Sequence, residues 1–289
     1  MKLTMKANAK LNLMLDILST LPNGYHELFM VMQSVDLADE VTVALTDSNN
    51  ITLTCSDPKL PTDERNLAYK AAAAFFKHFD LPLQGLSIHI EKHIPQAAGL
   101  AGGSADAAAV LRALFALFQK TPDVRTIAAL GRKIGSDVPF CALGGLMLAQ
   151  HTGTLLSFLP ELPLGTFVLV TPDHPVSTAA AYAAFDTAGR VRHPDRRGML
   201  ESILNGDADG VCARVNNVFE QFIDVPERVQ IKAVMRAHGA KASCMSGSGP
   251  TVFGMFETEE TAESAAAALK KEYQNVFVCR AAEQGIETI

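Results

Sequence analysis

The sequence predicts an α+β fold, and three patterns predict it. Leu11, Leu13, Leu15 and Ile17 alternate with Lys10, Asn12, Met14 and Asp16, the two-residue period of a strand. Val110, Leu111, Leu114, Leu117 and Phe118 repeat at helical spacing directly after a glycine-rich stretch. In the C-terminal third, helices and short strands take turns, as in a compact α+β sandwich.

The elements follow in order. The first strand has one buried leucine face, and Lys10 and Asn12 share the opposite face. A turn falls at Leu21–Gly24, where Pro22, Asn23 and Gly24 cluster. Val31–Val35 and Glu40–Leu45 read as two further strands. Asn66–Phe79, rich in alanine and aromatic residues, reads as a helix. Leu86, Ile88 and Ile90 form a strand that runs toward Pro95. The helix after the glycine-rich loop is followed by another over Asp123–Ile134, which stops near Gly135. Gly144–Val170 is strand-rich. Ala188–Arg197 is polar and irregular and suits a domain junction. Glu227–His238 is a helix, Ala242–Met245 and Val252–Phe256 are strands flanking a glycine turn, Glu259–Glu272 is a helix, and Val276–Arg280 a strand. No internal repeat is visible.

Bulk properties narrow the function classes. The chain has 289 residues, 48% apolar and 19% charged, with formal net charge −6. That suits one large domain or two moderate ones with a real core. Nucleic acid and membrane surfaces attract basic patches, so neither is expected as a partner. An acidic chain that binds phosphates must build the anion site locally, from backbone N–H groups and a few lysines. Five scattered cysteines without CxxC spacing argue against a disulfide framework or a zinc site and fit a reducing cytoplasm. Lys2, Lys6 and Lys10 precede an apolar stretch, but Asn12 and Asp16 interrupt it and no A-x-A site follows, so no signal peptide is expected.

The loop Pro95, Gln96, Ala97, Ala98, Gly99, Leu100, Ala101, Gly102, Gly103, Ser104, Ala105 lies between a strand and a helix. Glycine permits positive φ and close approach to a ligand, and the following helix start favours an anion. Ser104 or Asp106 would suit the helix N-cap. Taken alone, the loop also reads as a strand–helix turn that needs glycine to pack. It has neither the Lys-Ser/Thr ending of a Walker loop nor G-x-G-x-x-G spacing.

Five segments together resemble the GHMP kinases. IPQAAGLAGGSADAA at Ile94–Ala108 resembles the family's second motif, AKLNL at Ala9–Leu13 its first, and MSGSGPTVFG at Met245–Gly254 its third. IGSDVPF at Ile134–Phe140 resembles the segment with the catalytic aspartate. NGYHEL at Asn23–Leu28 resembles a segment of members that phosphorylate a cytidine diphosphate-linked methylerythritol. The segments occur in the family's order and span nearly the whole chain. Ala101 and Ala105 depart from the commonest pattern, and Ala105 removes a hydroxyl that could contact phosphate or metal.

The resemblance implies two α+β domains. Residues 1–150 would form the ATP-binding domain, ribosomal-protein-S5-domain-2-like, and residues 151–289 a ferredoxin-like C-terminal domain. It implies ATP and Mg²⁺ as cofactors, a small-molecule substrate, and the loop Pro95–Ala105 as the phosphate cradle, with Ser104 as its metal contact. Lys10 and Asp137 would carry the reaction: a carboxylate accepts the hydroxyl's proton, and a cation orients it and offsets phosphoryl charge. Asn12 would hold the substrate, and Gly247 and Ser248 would rim the cleft. A pyrimidine would stack between Tyr25 and Tyr182, with His26 and Thr178 as polar contacts. Outside the family, Asp137 reads as a turn aspartate or helix cap and Lys10 as an exposed lysine on an edge strand. Another substrate (homoserine, a sugar or mevalonate) and a non-catalytic sensor on the same fold stand as alternatives.

Overall fold

The first strand runs well beyond its leucine row. In the computed structural model, which describes residues 1–82 and 84–289, β1 spans Lys2–Thr20 and β2 spans His26–Thr46. Then come β3 (Ile51–Cys55), α1 (Leu67–His78), β4 (Gly85–Glu91), α2 (Gly102–Leu117), α3 (Val124–Ile134), α4 (Val138–Leu143), β5 (Leu146–His151) and β6 (Leu155–Phe158). After β7 (Thr166–Thr171) follow α5 (Thr178–Asp186), α6 (Arg196–Leu204), α7 (Ala208–Arg214) and β8 (Asn216–Asn217). The chain finishes with α8 (Glu227–Ala237), β9 (Ala242–Met245), β10 (Val252–Phe256), α9 (Glu259–Leu269), β11 (Asn275–Arg280) and β12 (Ile286–Thr288).

These strands make two sheets. The larger has the order β12-β1-β2-β4-β3, with β5 and β8 joining β2 and β1, and β6 beyond β5. Short strands from the later part of the chain therefore complete a sheet begun at residue 2. The smaller sheet is antiparallel, in the order β11-β7-β10-β9, and packs on α8 and α9 through Val168, Val252, Ile231, Met235 and Ala265. The strands β7, β9, β10 and β11 with helices α8 and α9 trace a β-α-β-β-α-β path, with α5 to α7 inserted before α8. Beneath the larger sheet, Phe75 of α1 and Phe115 of α2 meet edge to face at 5.4 Å.

Two expectations are corrected here. The strand segments Val31–Val35 and Glu40–Leu45 belong to one continuous β2, bent where its register against β1 shifts at Asn8/Ala9. And β1 is buried on both faces: Lys10, Asn12 and Asp16 are sealed as well as the leucines. A second register shift between Asn12 and Met14 reverses the alternation. Leu15 thereby joins Lys10 and Asn12 on one side, while Asp16 turns to the other and accepts a 2.8 Å contact from His193.

Helix ends follow local chemistry. Asn66 caps α1 by accepting from the N–H of Ala68, and Asp123 caps α3 by accepting from that of Thr126. α2 departs from expectation. It begins at Gly102, earlier than a Ser104 or Asp106 cap allows, and its N-cap is Ala101 at φ 60 with no side-chain capping bond. The N–H groups of its first turn are left without a capping side chain.

Candidate active site

Two stretches of the outer edge of β1 are covered by short pieces. β12 pairs with Met5–Ala7 and β8 with Met14–Leu15. Between them the strand is open, and two glycine turns dock there. The N–H of Lys10 donates to the carbonyl of Leu100 at 3.1 Å, and the N–H of Asn12 to Ser246 Oγ at 3.3 Å. The two turns interlock. Gly99 has φ 75, and a Cβ there would collide with the carbonyl oxygen of Ser246. Ser246 Oγ in turn donates to Gly99 O at 3.0 Å. Asn217 holds the second turn by donating to the carbonyls of Met245 and Gly247 at 2.8 and 2.7 Å.

This junction forms one wall of a cleft of about 1290 Å³. It is lined by Lys10, Asn12, Tyr25, His26, Asp137, Thr178, Tyr182, Gly247 and Ser248, and by the loop residues Pro95, Gln96, Ala97, Ala98, Gly99, Ala101, Gly102, Gly103 and Ser104. Two loop residues lie outside it. Leu100 is fully buried and serves through its carbonyl, which holds the N–H of Lys10. Ala105 is fully buried too, so a hydroxyl at this position would face the core instead of the cleft.

Lys10 is buried, not an exposed edge lysine. Its Nζ donates to Asn12 Oδ1 at 2.6 Å and to Gly99 O at 2.9 Å, and lies 4.0 Å from Asp137 Oδ2. Burial pushes its pKa below that of a free lysine, and the charge of Asp137 opposes the shift. Asp137 immediately precedes α4 but makes no capping bond, and its side chain is 32% exposed. Its carboxylate is therefore open to a ligand. Burial pushes the nearby Cys141 thiol well up, so it stays neutral and contributes no nucleophile.

A charged group beneath the loop has no signature in the sequence. Lys92 bridges two buried carboxylates, Asp106 Oδ2 at 2.8 Å and Asp39 Oδ2 in a very short contact. Asp39 Oδ1 also accepts from the N–H groups of His93 and Ile94 at 2.6 and 2.8 Å, which fixes the entry to the phosphate loop. A Cβ on Gly102 would lie 3.2 Å from Lys92 Nζ, so the loop rests directly on this ammonium. Burial drives the Asp106 carboxyl up to about 7, against the pull of Lys92. The two carboxylates outweigh burial at Lys92, whose pKa is raised. The three residues come from β2, the end of β4 and α2, and no spacing rule links them.

The far end of the cleft is aromatic. Tyr25 is 65% exposed. The His26 ring lies 4.5 Å from that of Tyr182 at an interplanar angle of 22°, with Phe185 edge-on at 5.9 Å. This changes the expected sandwich between Tyr25 and Tyr182, because His26 already stacks on Tyr182. His26 Nε2 pairs with Asp186 Oδ1 at 2.8 Å, and Thr20 Oγ1 donates to the same oxygen at 3.0 Å. Thr178 Oγ1 is 2.9 Å from Ser248 Oγ, which ties α5 to the second glycine turn. Burial, with the charge of Asp137, pushes the Tyr182 hydroxyl up to about 12. Asp186 and Phe185 were not legible as site residues, since α5 itself has no strong periodic pattern.

Among the described residues, no three His, Cys, Asp or Glu side chains cluster to hold a metal. The side-chain oxygens lining the cleft near the loop include those of Ser104, Ser136 and Asp137, and also Asp106, whose Oδ2 is already paired with Lys92. That donor set fits a Mg²⁺ held mainly by ligand phosphates, with one carboxylate, and not an all-protein cage. Among the described residues no helix is long and apolar enough to cross a membrane.

Comparison with known proteins agrees with this architecture. The model of the GHMP kinases N terminal domain matches residues 66–145, and that of the GHMP kinases C terminal matches residues 199–275. The 4-diphosphocytidyl-2-C-methyl-D-erythritol kinase of Exiguobacterium sibiricum is 43% identical over 97% of this chain and 98% of its own length. That of Geobacillus kaustophilus is 44% identical over 97% of each. A crystal structure of 4-(cytidine 5'-diphospho)-2C-methyl-D-erythritol kinase, 33% identical, superposes with TM-score 0.76 over 96% of this chain and 98% of that one. Homoserine kinase from Cytophaga hutchinsonii, at 20% identity, reaches TM-score 0.80 over 100% and 97%, so overall shape alone does not separate the substrates. Both domain models and relatives of nearly equal length place the chain in the GHMP kinase family, among relatives named 4-diphosphocytidyl-2-C-methyl-D-erythritol kinase.

Proposed function

We propose that the cleft transfers the γ-phosphoryl group of ATP to the 2-hydroxyl of 4-diphosphocytidyl-2-C-methyl-D-erythritol, in isoprenoid synthesis by the non-mevalonate route. The observation that carries this reading is the pairing of buried Lys10 with the uncapped, ligand-facing Asp137, beside the uncapped start of α2. The phosphates lie against Pro95–Ser104, where the N–H groups and dipole of α2 favour an anion. The substrate hydroxyl points at Asp137, which accepts its proton as the oxygen bonds to the γ-phosphorus and the bond to the bridging oxygen breaks. Lys10 is held by Asn12 and Gly99, so its ammonium is fixed in place to offset charge on the transferring group. Ser104 and Asp137 would help to hold a Mg²⁺ brought in with the phosphates, which would supply charge neutralisation.

In this reading residues 1–150 are the nucleotide-binding domain. Residues 151–289 contribute Thr178, Tyr182, Gly247 and Ser248 to the same cleft. Tyr25 stacks on the cytosine, and His26 reads its edge. The cysteines are all free, which supports a reducing cytoplasm as the working compartment. A coupled ADP-release assay tests the reading. Turnover of the cytidyl compound and none of homoserine or mevalonate is expected. The reverse result would assign the cleft to another substrate of the family, and binding without turnover of any of them would make the protein a sensor.

A further inference from the structure

We infer that Asp39, which does not line the cleft, is a positioning residue for the nucleotide: it clamps both ends of the phosphate loop and holds that loop in its binding shape. This rests on the ATP reading above and adds a residue to it. The loop needs a clamp because its backbone is strained. Ala97 at φ 48 and Ala101 at φ 60 sit in the left-handed region that alanine avoids, with Gly99 at φ 75 between them. Such residues persist only where their surroundings over-determine them. The middle of the loop is tied down by the bonds that Lys10 and Ser246 make to the carbonyls of Gly99 and Leu100. Its two ends close on Asp39.

Asp39 is fully buried, and both of its oxygens are used. At the loop's entry, Oδ1 accepts from the N–H groups of His93 and Ile94 at 2.6 and 2.8 Å. Oδ2 holds Lys92 Nζ, which also donates to Asp106 Oδ2 on α2 at 2.8 Å. At the loop's exit, a Cβ on Gly102 would lie 3.1 Å from Ile94 Cγ2 and 3.2 Å from Lys92 Nζ. Gly102 opens α2, whose uncapped N–H groups favour an anion. Asp39 thereby sets where that first turn stands against the chain leaving β4. Charge alone would act the other way, since removing a carboxylate beneath an anion site should tighten ATP.

Two variants separate position from charge. Asp39→Asn and Asp106→Asn each leave one ammonium facing one carboxylate. Asparagine has a single acceptor oxygen, so at position 39 its amide must face either the Lys92 ammonium or the two N–H groups. At position 106 the amide replaces Oδ1, which has no hydrogen-bond partner among the described residues. Asp39→Asn should therefore raise the Kd of a non-hydrolysable ATP analogue by about tenfold, as when the competent loop falls to a tenth of the population. Asp106→Asn should bind the analogue as well as the wild type or more tightly. In turnover, the loss in Asp39→Asn should fall on the KM for ATP, with kcat reduced far less; a merely structural role would lower the active fraction and leave KM alone. Equal shifts in the two variants, or unweakened binding by Asp39→Asn, would overturn the inference. Amide exchange on the wild type gives an answer that needs no variant. The N–H groups of His93 and Ile94 should be protected although neither lies in a helix or strand, and exchange as fast as in an open loop would also overturn it. A wild type that binds no nucleotide defeats the kinase reading itself.

Discussion

Lys10 Nζ lies 4.0 Å from Asp137 Oδ2 but only 2.6 Å from Asn12 Oδ1. The ammonium is anchored by neutral acceptors, and the carboxylate keeps its own acceptor sites for a substrate hydroxyl. Asp137→Asn preserves shape and removes the proton acceptor. It should lower kcat by about 10²–10⁴-fold while both ligands still bind. Calorimetric titration alongside steady-state rates checks this, and an undiminished rate would remove Asp137 from the chemistry.

Lys10 makes a prediction with two opposite signs. The cation is the working form, and burial places its pKa in the folded protein below the 10.5 of a free lysine. The rate should therefore fall on the alkaline side before pH 10.5. In the window between the folded pKa and 10.5, the unfolded chain binds the proton more tightly, so this group makes stability rise with pH. A rate profile and denaturant titrations over the same pH range test both halves. An alkaline limb at or above 10.5 would contradict the burial argument.

Tyr25 is exposed and packs little of the core, so its removal should leave the melting temperature nearly unchanged. Stacking on a base contributes on the order of 1–3 kcal/mol, so Tyr25→Ala should weaken the cytidyl substrate by about tenfold or more and leave ATP affinity alone. Equal losses for both ligands would make Tyr25 a support of the fold.

Asp106 shares one ammonium with Asp39, and its Oδ1 has no hydrogen-bond partner among the described residues. Its carboxyl stands near 7 in the folded protein, above the 3.8 of an ordinary aspartate. The native state thus holds an extra proton in that window, and this group makes stability fall as pH climbs from about 4 to about 7. Asp106→Asn removes the misfit charge and leaves a one-to-one Lys92–Asp39 pair. The variant should be more stable than the wild type at pH 8, by on the order of 1 kcal/mol, with the gap closing toward pH 5. Chemical denaturation at the two pH values decides it, and a variant weaker at pH 8 would mean Asp106 makes a bond that asparagine cannot.

Much of the site was legible because it sits in short segments with strong local constraints. The loop at Gly99–Gly103, Lys10 on its alternating strand and Asp137 after Gly135 each have a local reason for their residue type. What stayed hidden depends on distant partners. Nothing near Lys92 in sequence announces Asp39, and nothing near His26 announces Asp186, since both pairs meet only when β1, β2 and their neighbours are assembled. The start of α2 was misplaced because an alanine in the left-handed region does the work that a capping side chain does elsewhere. α6 and α7 are short and polar, and each is set by an aspartate cap, Asp195 and Asp207, that reads equally well as a turn.

The strand that carries Lys10 is finished from the far end of the chain. Asn8 Nδ2 donates to Glu287 Oε1, its partner 279 residues later. During synthesis this edge stays bare until residues 286–288 emerge, and contacts so distant form slowly. A chain interrupted before that point would leave the edge of β1 open at Met5–Ala7. The sealing of that aggregation-prone stretch of β1 therefore waits for a strand drawn from a part of the sequence remote from it.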